Sequence, residues 1–267
     1  MATVTVGVGR SGDGVMNVVL DRPQKRNALD DDMVATLIGA LVDAGQDEAV
    51  RAVLITGAGD DFCAGFDIVA RNAAADGRRP RAGSIQRRLP AQAHRLIPLM
   101  ATVQTPIICA VRGWAAGIGL HLVLAADFAV AAEDATFWEP FAERGFTPDS
   151  GGTWLLPRRI GEARAREMLL LGRRVTGVEA AAWGLVHRAV PAADVEAEAA
   201  ALATRLASGP TVALGLTKWL LHRGAAASLE QHLPEEASAL ELSSRSEDFR
   251  EGVAAFADKR DPRFIGR

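Results

Sequence analysis

Two short glycine-containing segments, each placed directly after an apolar run, constrain the fold of this chain most. The first is F-C-A-G-F-D-I at Phe62–Ile68, and the second is G-W-A-A-G-I-G-L-H at Gly113–His121. The runs before them, Arg51–Gly57 and Pro106–Val111, are short and apolar, which predicts two buried strands. Glycine permits tight turns and lets the backbone approach a ligand closely. We therefore expect two strand–turn units, the second leading into an apolar helix over Leu120–Ala126.

The second turn has a chemical consequence. A helix N-terminus carries N–H groups without an acceptor inside the helix, together with a partial positive charge. Two N–H donors aimed at one point can hold an oxygen that becomes negatively charged during a reaction. The alternative is that both turns merely close tight connections between strands and helices.

The remaining pattern predicts an α/β core followed by helices. Thr3–Val8 and Val15–Leu20 alternate around the turn residues GRSGDG, which is typical of a β-hairpin. A strand at Phe128–Ala131 completes a repeating β-α-β pattern, which requires a parallel sheet covered by helices. The segment Asp67–Leu89 is rich in Arg, Ala and Gly and is expected to be mobile in part. Helices are predicted at Asp30–Asp47, Gln92–Val103, Glu162–Leu171, Gly177–Trp183, Ala192–Ala207, Pro210–Leu221 and, with breaks, Ser228–Ala257.

Composition excludes several classes of protein. The chain has 267 residues, 49% of them hydrophobic, and a formal net charge of −3, which argues against nucleic acid as a partner. No run of about 20 apolar residues predicts a membrane span, and the N-terminal sequence lacks a signal-peptide pattern. The two cysteines, Cys63 and Cys109, lie in apolar runs and are expected to be reduced and buried. We expect a cytoplasmic protein.

Three other motifs have a structural explanation that we prefer. Gly7–Gly12 matches the dinucleotide pattern G-x-G-x-x-G, but a strand follows it where that pattern requires a helix. The D-S-G-G string at Asp149–Gly152 lacks the surroundings of a protease nucleophile. The histidines are scattered without metal-ligand spacing, so no metal site is expected.

The two turns, taken with three further motifs, resemble the crotonase superfamily, the enoyl-CoA hydratase/isomerase enzymes. The three are D-R-P-Q-K-R-N-A-L at Asp21–Leu29, P-D-S-G-G-T-W-L-L-P-R at Pro148–Arg158 and F-A-D-K-R-D-P-R-F at Phe256–Phe264. The resemblance implies a crotonase-like ββα spiral core, residues 1–200, and a C-terminal helical subdomain, residues 201–267, that forms a trimer or a dimer of trimers. It also implies a coenzyme A thioester substrate and no permanently bound cofactor.

The same resemblance assigns roles to backbone groups. The N–H groups of Phe66 and Ile118 are expected to form the oxyanion hole for a thioester enolate. Hydratases of the family use two glutamates, at the positions held here by His121 and Phe141. Both glutamates are therefore missing, and this puts a standard hydratase mechanism in doubt.

Asp149 is the replacement candidate for acid–base chemistry. Several isomerase and dehalogenase branches of the superfamily carry a catalytic aspartate at this loop position. The P-D-S-G-G-T-W-L-L-P-R string resembles the ring-epoxide isomerase branch of phenylacetate breakdown most closely. A lone carboxylate suits the movement of a proton between two carbons of one substrate. The alternative is that Asp149 forms an Asx turn at the start of Ser150–Leu155.

Two histidines are secondary candidates. His94 falls where dehalogenases of the superfamily place an assisting histidine, although a surface histidine on a helix is the simpler interpretation. His121 follows the second oxyanion donor by one helical turn, so it either touches the acyl group or is a buried, neutral, hydrogen-bonded imidazole.

Coenzyme A contacts are implied at three places. Residues of the first turn and the basic residues before the first long helix are expected to line the site, and the tail is expected to reach a neighbouring subunit's coenzyme A. Each basic residue is equally well explained as a solvated surface charge. The residues are Lys25, Arg26, Ala64, Phe66, Asp67, Ile68, Phe256 and Lys259.

Several functions remain open from the sequence. An acyl-CoA isomerase that uses Asp149 is the first, and a 2-enoyl-CoA hydratase is the second. A dehalogenase ranks third, because Phe141 replaces the tryptophan of that branch. A non-catalytic acyl-CoA-binding protein that has lost both glutamates belongs to a different class.

Overall fold

The fold is an α/β core with a helical C-terminal end, as the sequence predicts. The computed structural model describes residues 5–68 and 83–267. Its strands are β1 (Val6–Arg10), β2 (Val15–Leu20), β3 (Ala52–Gly57), β4 (Ile107–Val111), β5 (Trp114–Ala116), β6 (Phe128–Ala132), β7 (Thr136–Trp138), β8 (Val175–Thr176) and β9 (Arg188–Val190). Its α-helices are α1 (Asp31–Gln46), α2 (Ser84–Arg88), α3 (Ala93–Thr102), α4 (Ile118–Ala125), α5 (Gly152–Ile160), α6 (Glu162–Leu171), α7 (Gly177–Trp183), α8 (Val195–Ala207), α9 (Thr211–Gly224), α10 (Leu229–Ser243) and α11 (Glu247–Asp258).

The main sheet has six strands in the order β1-β2-β3-β4-β6-β9. Strands β1 and β2 form the predicted antiparallel hairpin, with Val6 opposite Leu20, and the other neighbours pair in parallel. Gly7–Gly12 lies in this hairpin, so its dinucleotide-like pattern is a strand and turn. Residues 3 and 4 of the predicted strand Thr3–Val8 lie outside the described residues, and β1 extends two residues beyond Val8, to Arg10, because pairing with β2 sets its register.

A second, smaller sheet was not predicted. It has three strands in the order β5-β7-β8, in which β5 and β7 are parallel. These strands have only two or three residues each, too few to show a period in the sequence. The small sheet matters for function because β5 and β7 directly precede the segments that carry Ile118 and Glu139.

Helix packing follows from the apolar faces of the helices. Helix α1 buries Met33, Leu37 and Leu41 along one face and begins at the cap Asp30, whose carboxylate accepts the N–H of Met33 at 2.9 Å. Every residue of α4 is buried, so this helix passes through the centre of the core. None of the helices in the described residues combines the length and the apolar composition that crossing a bilayer requires.

The C-terminal helices are joined to the core by buried polar contacts. Lys218 on α9 pairs with Asp127 at 2.7 Å and donates to the carbonyl oxygen of Thr105 at 3.2 Å. Burial lowers the pKa of Lys218, and the Asp127 carboxylate partly offsets this effect. Helix α8 crosses residue 200 and buries Ala199 and Ala203, so it belongs with the core by packing. The division into two subdomains stays a proposal, and this packing favours a boundary after α8.

The predicted segment Asp67–Leu89 is only partly tested, because residues 69–82 lie outside the described residues. At its end the chain forms the short helix α2 and a 3-10 turn at Leu89–Ala91. Within α2, Arg87 and Arg88 are exposed.

Candidate active site

The two glycine turns lie side by side and are hydrogen-bonded to each other. The N–H of Cys63 donates to the carbonyl oxygen of Trp114 at 2.8 Å, and the N–H of Ala116 donates to the carbonyl oxygen of Cys63 at 2.9 Å. Cys63 and Ala115 form an isolated parallel bridge. The chain thus places Phe66 just beyond one strand of this contact and Ile118 just beyond the other.

Glycine is required at this contact for two different reasons. Gly117 has φ 52 and turns the chain from β5 into α4, whose first residue is Ile118. A Cβ atom on Gly119 would lie 2.3 Å from the carbonyl oxygen of Cys63, which is too close for any side chain. The N-terminus of α4 can therefore approach the first turn only because residue 119 is glycine. The N–H of Ile118, at the first position of the helix, has no acceptor within that helix.

A third segment, Arg22–Leu29, flanks the first turn. The N–H of Ala64 donates to the carbonyl oxygen of Arg26 at 2.9 Å, and the N–H of Leu29 donates to the carbonyl oxygen of Gly65 at 2.8 Å. Lys25 and Arg26 are exposed beside these contacts. The structure therefore brings the predicted coenzyme A residues of this segment next to those of the first turn.

Asn27 fixes the shape of that flanking segment and was missed from the sequence. It is fully buried and has φ 55, a left-handed conformation that asparagine tolerates better than most residues. Its amide donates to the carbonyl oxygens of Ala58 and Asp61 at 2.9 and 2.6 Å, and its Oδ1 accepts the N–H of Arg22 at 2.8 Å. The N-x-L end of the D-R-P-Q-K-R-N-A-L motif therefore has a structural role.

Asp67 has a buried carboxylate that pairs with Arg22 at 3.0 Å, and Arg22 also contacts Asp30 at 3.2 Å. The carboxylate is therefore engaged with the protein, and the backbone N–H of Asp67 donates to Leu29 at 2.9 Å. Ile68 follows, half-buried, with its N–H donated to the carbonyl oxygen of Phe66 at 2.8 Å. For Asp67 these contacts favour an indirect role, in which it holds the turn.

Asp149 and His94 contact each other. Asp149 is partly exposed, and its carbonyl oxygen is 2.8 Å from Nε2 of His94 on α3. His94 is itself exposed, as the surface interpretation predicts, but it contacts the backbone of the candidate base. The segment after Asp149 continues into a helix, because Gly151, with φ 94, directly precedes α5.

His121 is completely buried, and both of its ring nitrogens are hydrogen-bonded. Its Nδ1 is 2.6 Å from Oγ of Ser150, and its Nε2 is 2.9 Å from Oε1 of Glu139. Its burial and its two hydrogen bonds agree with the second interpretation from the sequence, whereas the neutral charge of the ring and a contact with the acyl group stay predictions. Ser150 and Glu139 were not predicted, and only the requirement that a histidine in an apolar helix find partners could have suggested them.

The ring of Phe141 packs against His121 and against the second glycine turn. It is buried, its ring stacks on His121 at 6.0 Å between centroids, and it meets Phe146 edge-on at 5.4 Å. A Cβ atom on Gly117 would lie 3.5 Å from Cζ of Phe141, so the ring covers the second turn. The two positions where family hydratases carry glutamate are thus packed against each other, with an apolar ring at one of them.

The two tail residues predicted to contact coenzyme A lie near the end of α11. The Phe256 ring is 86% exposed, and Lys259 ends the helix with φ 56. Their predicted contact with a neighbouring subunit stays a prediction.

The cysteines are free thiols, as predicted. Cys63 and Cys109 are both buried. Burial raises the pKa of the Cys63 thiol to about 12 and also raises the pKa of Cys109, so neither is poised as a nucleophile. Within residues 5–68 and 83–267, no group of three or more His, Cys, Asp or Glu side chains is arranged to hold a metal ion.

Comparison with known proteins decides the family. The family model for enoyl-CoA hydratase/isomerase matches residues 10–267. The chain belongs to the enoyl-CoA hydratase/isomerase family. It is 40% identical over 254 residues to the 1,2-epoxyphenylacetyl-CoA isomerase of Escherichia coli (strain K12), covering 95% of this chain and 96% of that protein. It is also 40% identical over 255 residues to a protein of Rhodobacter capsulatus named "Probable enoyl-CoA hydratase", covering 96% of each.

Solved structures agree on the fold of this enoyl-CoA hydratase/isomerase family member. The enoyl-CoA hydratase from Bacillus anthracis superposes with a TM-score of 0.91 at 31% identity, covering 98% of this chain and 100% of that one. The predicted crotonase-like fold with C-terminal helices is thereby confirmed. Identity to the Escherichia coli isomerase and to the Rhodobacter capsulatus protein is the same, 40%.

Proposed function

We propose that this family member is an acyl-CoA isomerase that moves a double bond, or rearranges a ring, through a thioester enolate. The thioester oxygen is held by the N–H groups of Phe66 and Ile118, and Asp149 moves the proton. Holding such an oxygen with preorganised N–H donors is worth a few kcal/mol for each donor. Coenzyme A enters only as part of the substrate.

One observation carries the preference for isomerisation. The two side chains at the hydratase glutamate positions, His121 and Phe141, are buried and stacked on each other. His121 has no ring nitrogen left to activate water, because Ser150 and Glu139 occupy both. A hydratase needs one group to activate water and one to deliver a proton. Asp149, partly exposed on its loop, is the carboxylate that remains for acid–base work.

Hydration of a 2-enoyl-CoA is the second candidate, favoured by the 40% identity to the Rhodobacter capsulatus protein. It would require Asp149 both to activate the water molecule and to deliver the proton. A non-catalytic acyl-CoA-binding protein is the candidate from a different class.

A substrate panel separates these three functions. Purified protein is incubated with 3-enoyl-CoA, ring-type acyl-CoA and crotonyl-CoA, and products are followed by chromatography and mass spectrometry. We expect rearranged products of unchanged mass from the first two and slow or no gain of water from the third. Fast hydration of crotonyl-CoA would support the hydratase, and tight binding without any turnover would support the non-catalytic protein.

Assembly and location are part of this proposal. We propose a homotrimer or a dimer of trimers in the cytoplasm, built through the C-terminal helices. These helices expose apolar side chains in one chain that association would bury. The side chains are Leu229, Leu233, Leu240, Leu242, Phe249, Val253 and Phe256.

A further inference from the structure

Four polar side chains form a continuous hydrogen-bonded chain from the partly exposed Asp149 into the core. Oδ1 of Asp149 is 3.1 Å from Oγ of Ser150, which is 2.6 Å from Nδ1 of His121. Nε2 of His121 is 2.9 Å from Oε1 of Glu139. Ser150 is 1% exposed, and His121 and Glu139 are fully buried. The chain therefore connects the candidate base with an acidic group that solvent does not reach.

Glu139 is the unusual member of this chain. Its second oxygen, Oε2, is buried and has no hydrogen-bond partner among the described residues. A buried ionised carboxylate is costly unless a charge compensates it, and a proton on both ring nitrogens of His121, whose Nε2 lies 2.9 Å from Oε1 of Glu139, would supply that charge. Gly152 packs so tightly on this pair that a Cβ atom there would lie 2.3 Å from Nε2 of His121. The pair is thus closely enclosed, and a proton between Nε2 of His121 and Oε1 of Glu139 serves both of these atoms.

Ser150 has a single hydroxyl hydrogen and two hydrogen-bond partners, Asp149 and His121. The protonation states of these two partners therefore depend on each other. When Asp149 is ionised, Ser150 donates to it, and His121 must carry hydrogen on Nδ1 to complete the bond to Ser150. When Asp149 is protonated, it donates to Ser150, Ser150 donates to Nδ1, and His121 keeps hydrogen on Nε2 alone. The Glu139 carboxylate accepts from Nε2 in both arrangements.

The two arrangements contain the same number of protons and the same net charge. In passing from the first to the second, the Nδ1–H bond of His121 breaks as an O–H bond forms on Ser150. The original O–H bond of Ser150 breaks as an O–H bond forms on Asp149. No electron transfer and no further reactant is involved, because only two protons move, each by one hydrogen bond.

We propose that His121 and Glu139 are a proton store for Asp149, connected to it by Ser150. In the resting state of this proposal Asp149 carries no proton, and the imidazolium of His121 holds the stored proton against Glu139. Asp149 can then act as a base, and it can be protonated again from within the protein. Ser150, His121 and Glu139 are positioning and relay residues, because they act through Asp149. This inference deepens the isomerase proposal and rests on it for its role in turnover.

The protonation of His121 tests the store without any substrate. In protein labelled with 15N-histidine, solid-state NMR distinguishes a protonated from an unprotonated ring nitrogen, and a His121→Gln variant assigns the signal. We expect protonated Nδ1 in the wild type and unprotonated Nδ1 in Asp149→Ala, because Ser150 then donates to His121. His94→Ala, which leaves the Asp149 carboxylate in place, is the matched control and should resemble the wild type. An unprotonated Nδ1 in the wild type, or the same state in Asp149→Ala, would overturn the proposal.

Turnover in D2O tests the connection through Ser150. In the wild type, the exchangeable hydrogens of the relay residues are replaced by deuterium from the solvent. The relay then exchanges this deuterium with the proton that Asp149 takes from 3-enoyl-CoA, so the product contains deuterium. Ser150→Ala cuts the relay, and we expect its product to keep more of the substrate's own hydrogen, with KM unchanged and kcat lowered by less than the roughly 10²-fold expected from loss of the acid–base group itself. Equal deuterium content in the two products would refute the relay. Absence of any conversion by the wild type would instead count against the isomerase proposal, while the NMR result still decides the proton store.

Discussion

Replacement of Asp149 by asparagine is expected to lower turnover of an isomerised acyl-CoA by about 10²-fold or more, in line with typical general acid–base contributions. Asparagine keeps the size and the hydrogen-bonding capacity of the side chain but cannot accept a proton from carbon. Binding of the thioester should change little, because the glycine turns do not depend on the Asp149 carboxylate. Rates are measured by following products, and affinity by titration calorimetry with the coenzyme A thioester.

His94→Ala is the comparison for this variant, because the ring of His94 contacts the backbone carbonyl of Asp149 and this substitution leaves the Asp149 carboxylate in place. We expect a smaller loss of kcat in His94→Ala than in Asp149→Asn. If His94→Ala, or a conservative His121→Gln, were the less active enzyme, a histidine would replace Asp149 as the principal acid–base group.

Substitution of Gly119 by alanine is expected to lower turnover by a similar factor, because it disturbs the proposed oxyanion hole. The added Cβ atom would lie 2.3 Å from the carbonyl oxygen and 2.8 Å from the Cβ atom of Cys63, so α4 must move away from the first turn. The N–H of Ile118 moves with it. Loss of one oxyanion donor typically costs about 10²- to 10³-fold in kcat, and forced overpacking costs about 1–3 kcal/mol of stability. The change in kcat is measured by steady-state kinetics, and the change in the free energy of unfolding is measured by urea unfolding.

Gly39→Ala is the matched control for Gly119→Ala. Gly39 also lies in a helix, α1, but apart from its chain neighbours and the surrounding helix backbone no heavy atom of the described residues lies within 4 Å of its added Cβ. We expect unchanged turnover and a gain of up to about 1 kcal/mol in the free energy of unfolding, because alanine has the higher helix propensity. Normal turnover in Gly119→Ala would show that the approach of α4 to the first turn does not matter for the reaction.

The backbone of the site could be predicted from the sequence, because it depends on residues that lie close together in the chain. The apolar runs before Phe62 and Gly113 are strands, and the glycines after them allow the turns. Helices α6 and α7 end where the sequence places them, because Gly172 and Gly184 adopt the left-handed conformation that stops a helix.

The polar chain behind Asp149 could not be predicted in the same way. Glu139 precedes a proline in a charged segment, and glutamate is usually a solvated surface residue. Its burial follows from the small sheet, whose strand β7 carries the chain into the core beside α4. Ser150 gains its role only when the Asp149 loop folds over His121, a contact between residues 29 positions apart. Pairings of this kind come from tertiary packing and leave no local pattern.

The most direct test of the catalytic assignment is a crystal structure of the Asp149→Asn variant with a 3-enoyl-CoA bound. We predict the thioester oxygen at hydrogen-bond distance, about 2.7–3.1 Å, from the backbone nitrogens of both Phe66 and Ile118. We also predict the side chain of residue 149 beside the carbon that loses its proton. A thioester oxygen bound away from these two nitrogens, or an α-carbon that faces another acidic or basic side chain, would contradict the proposed active site.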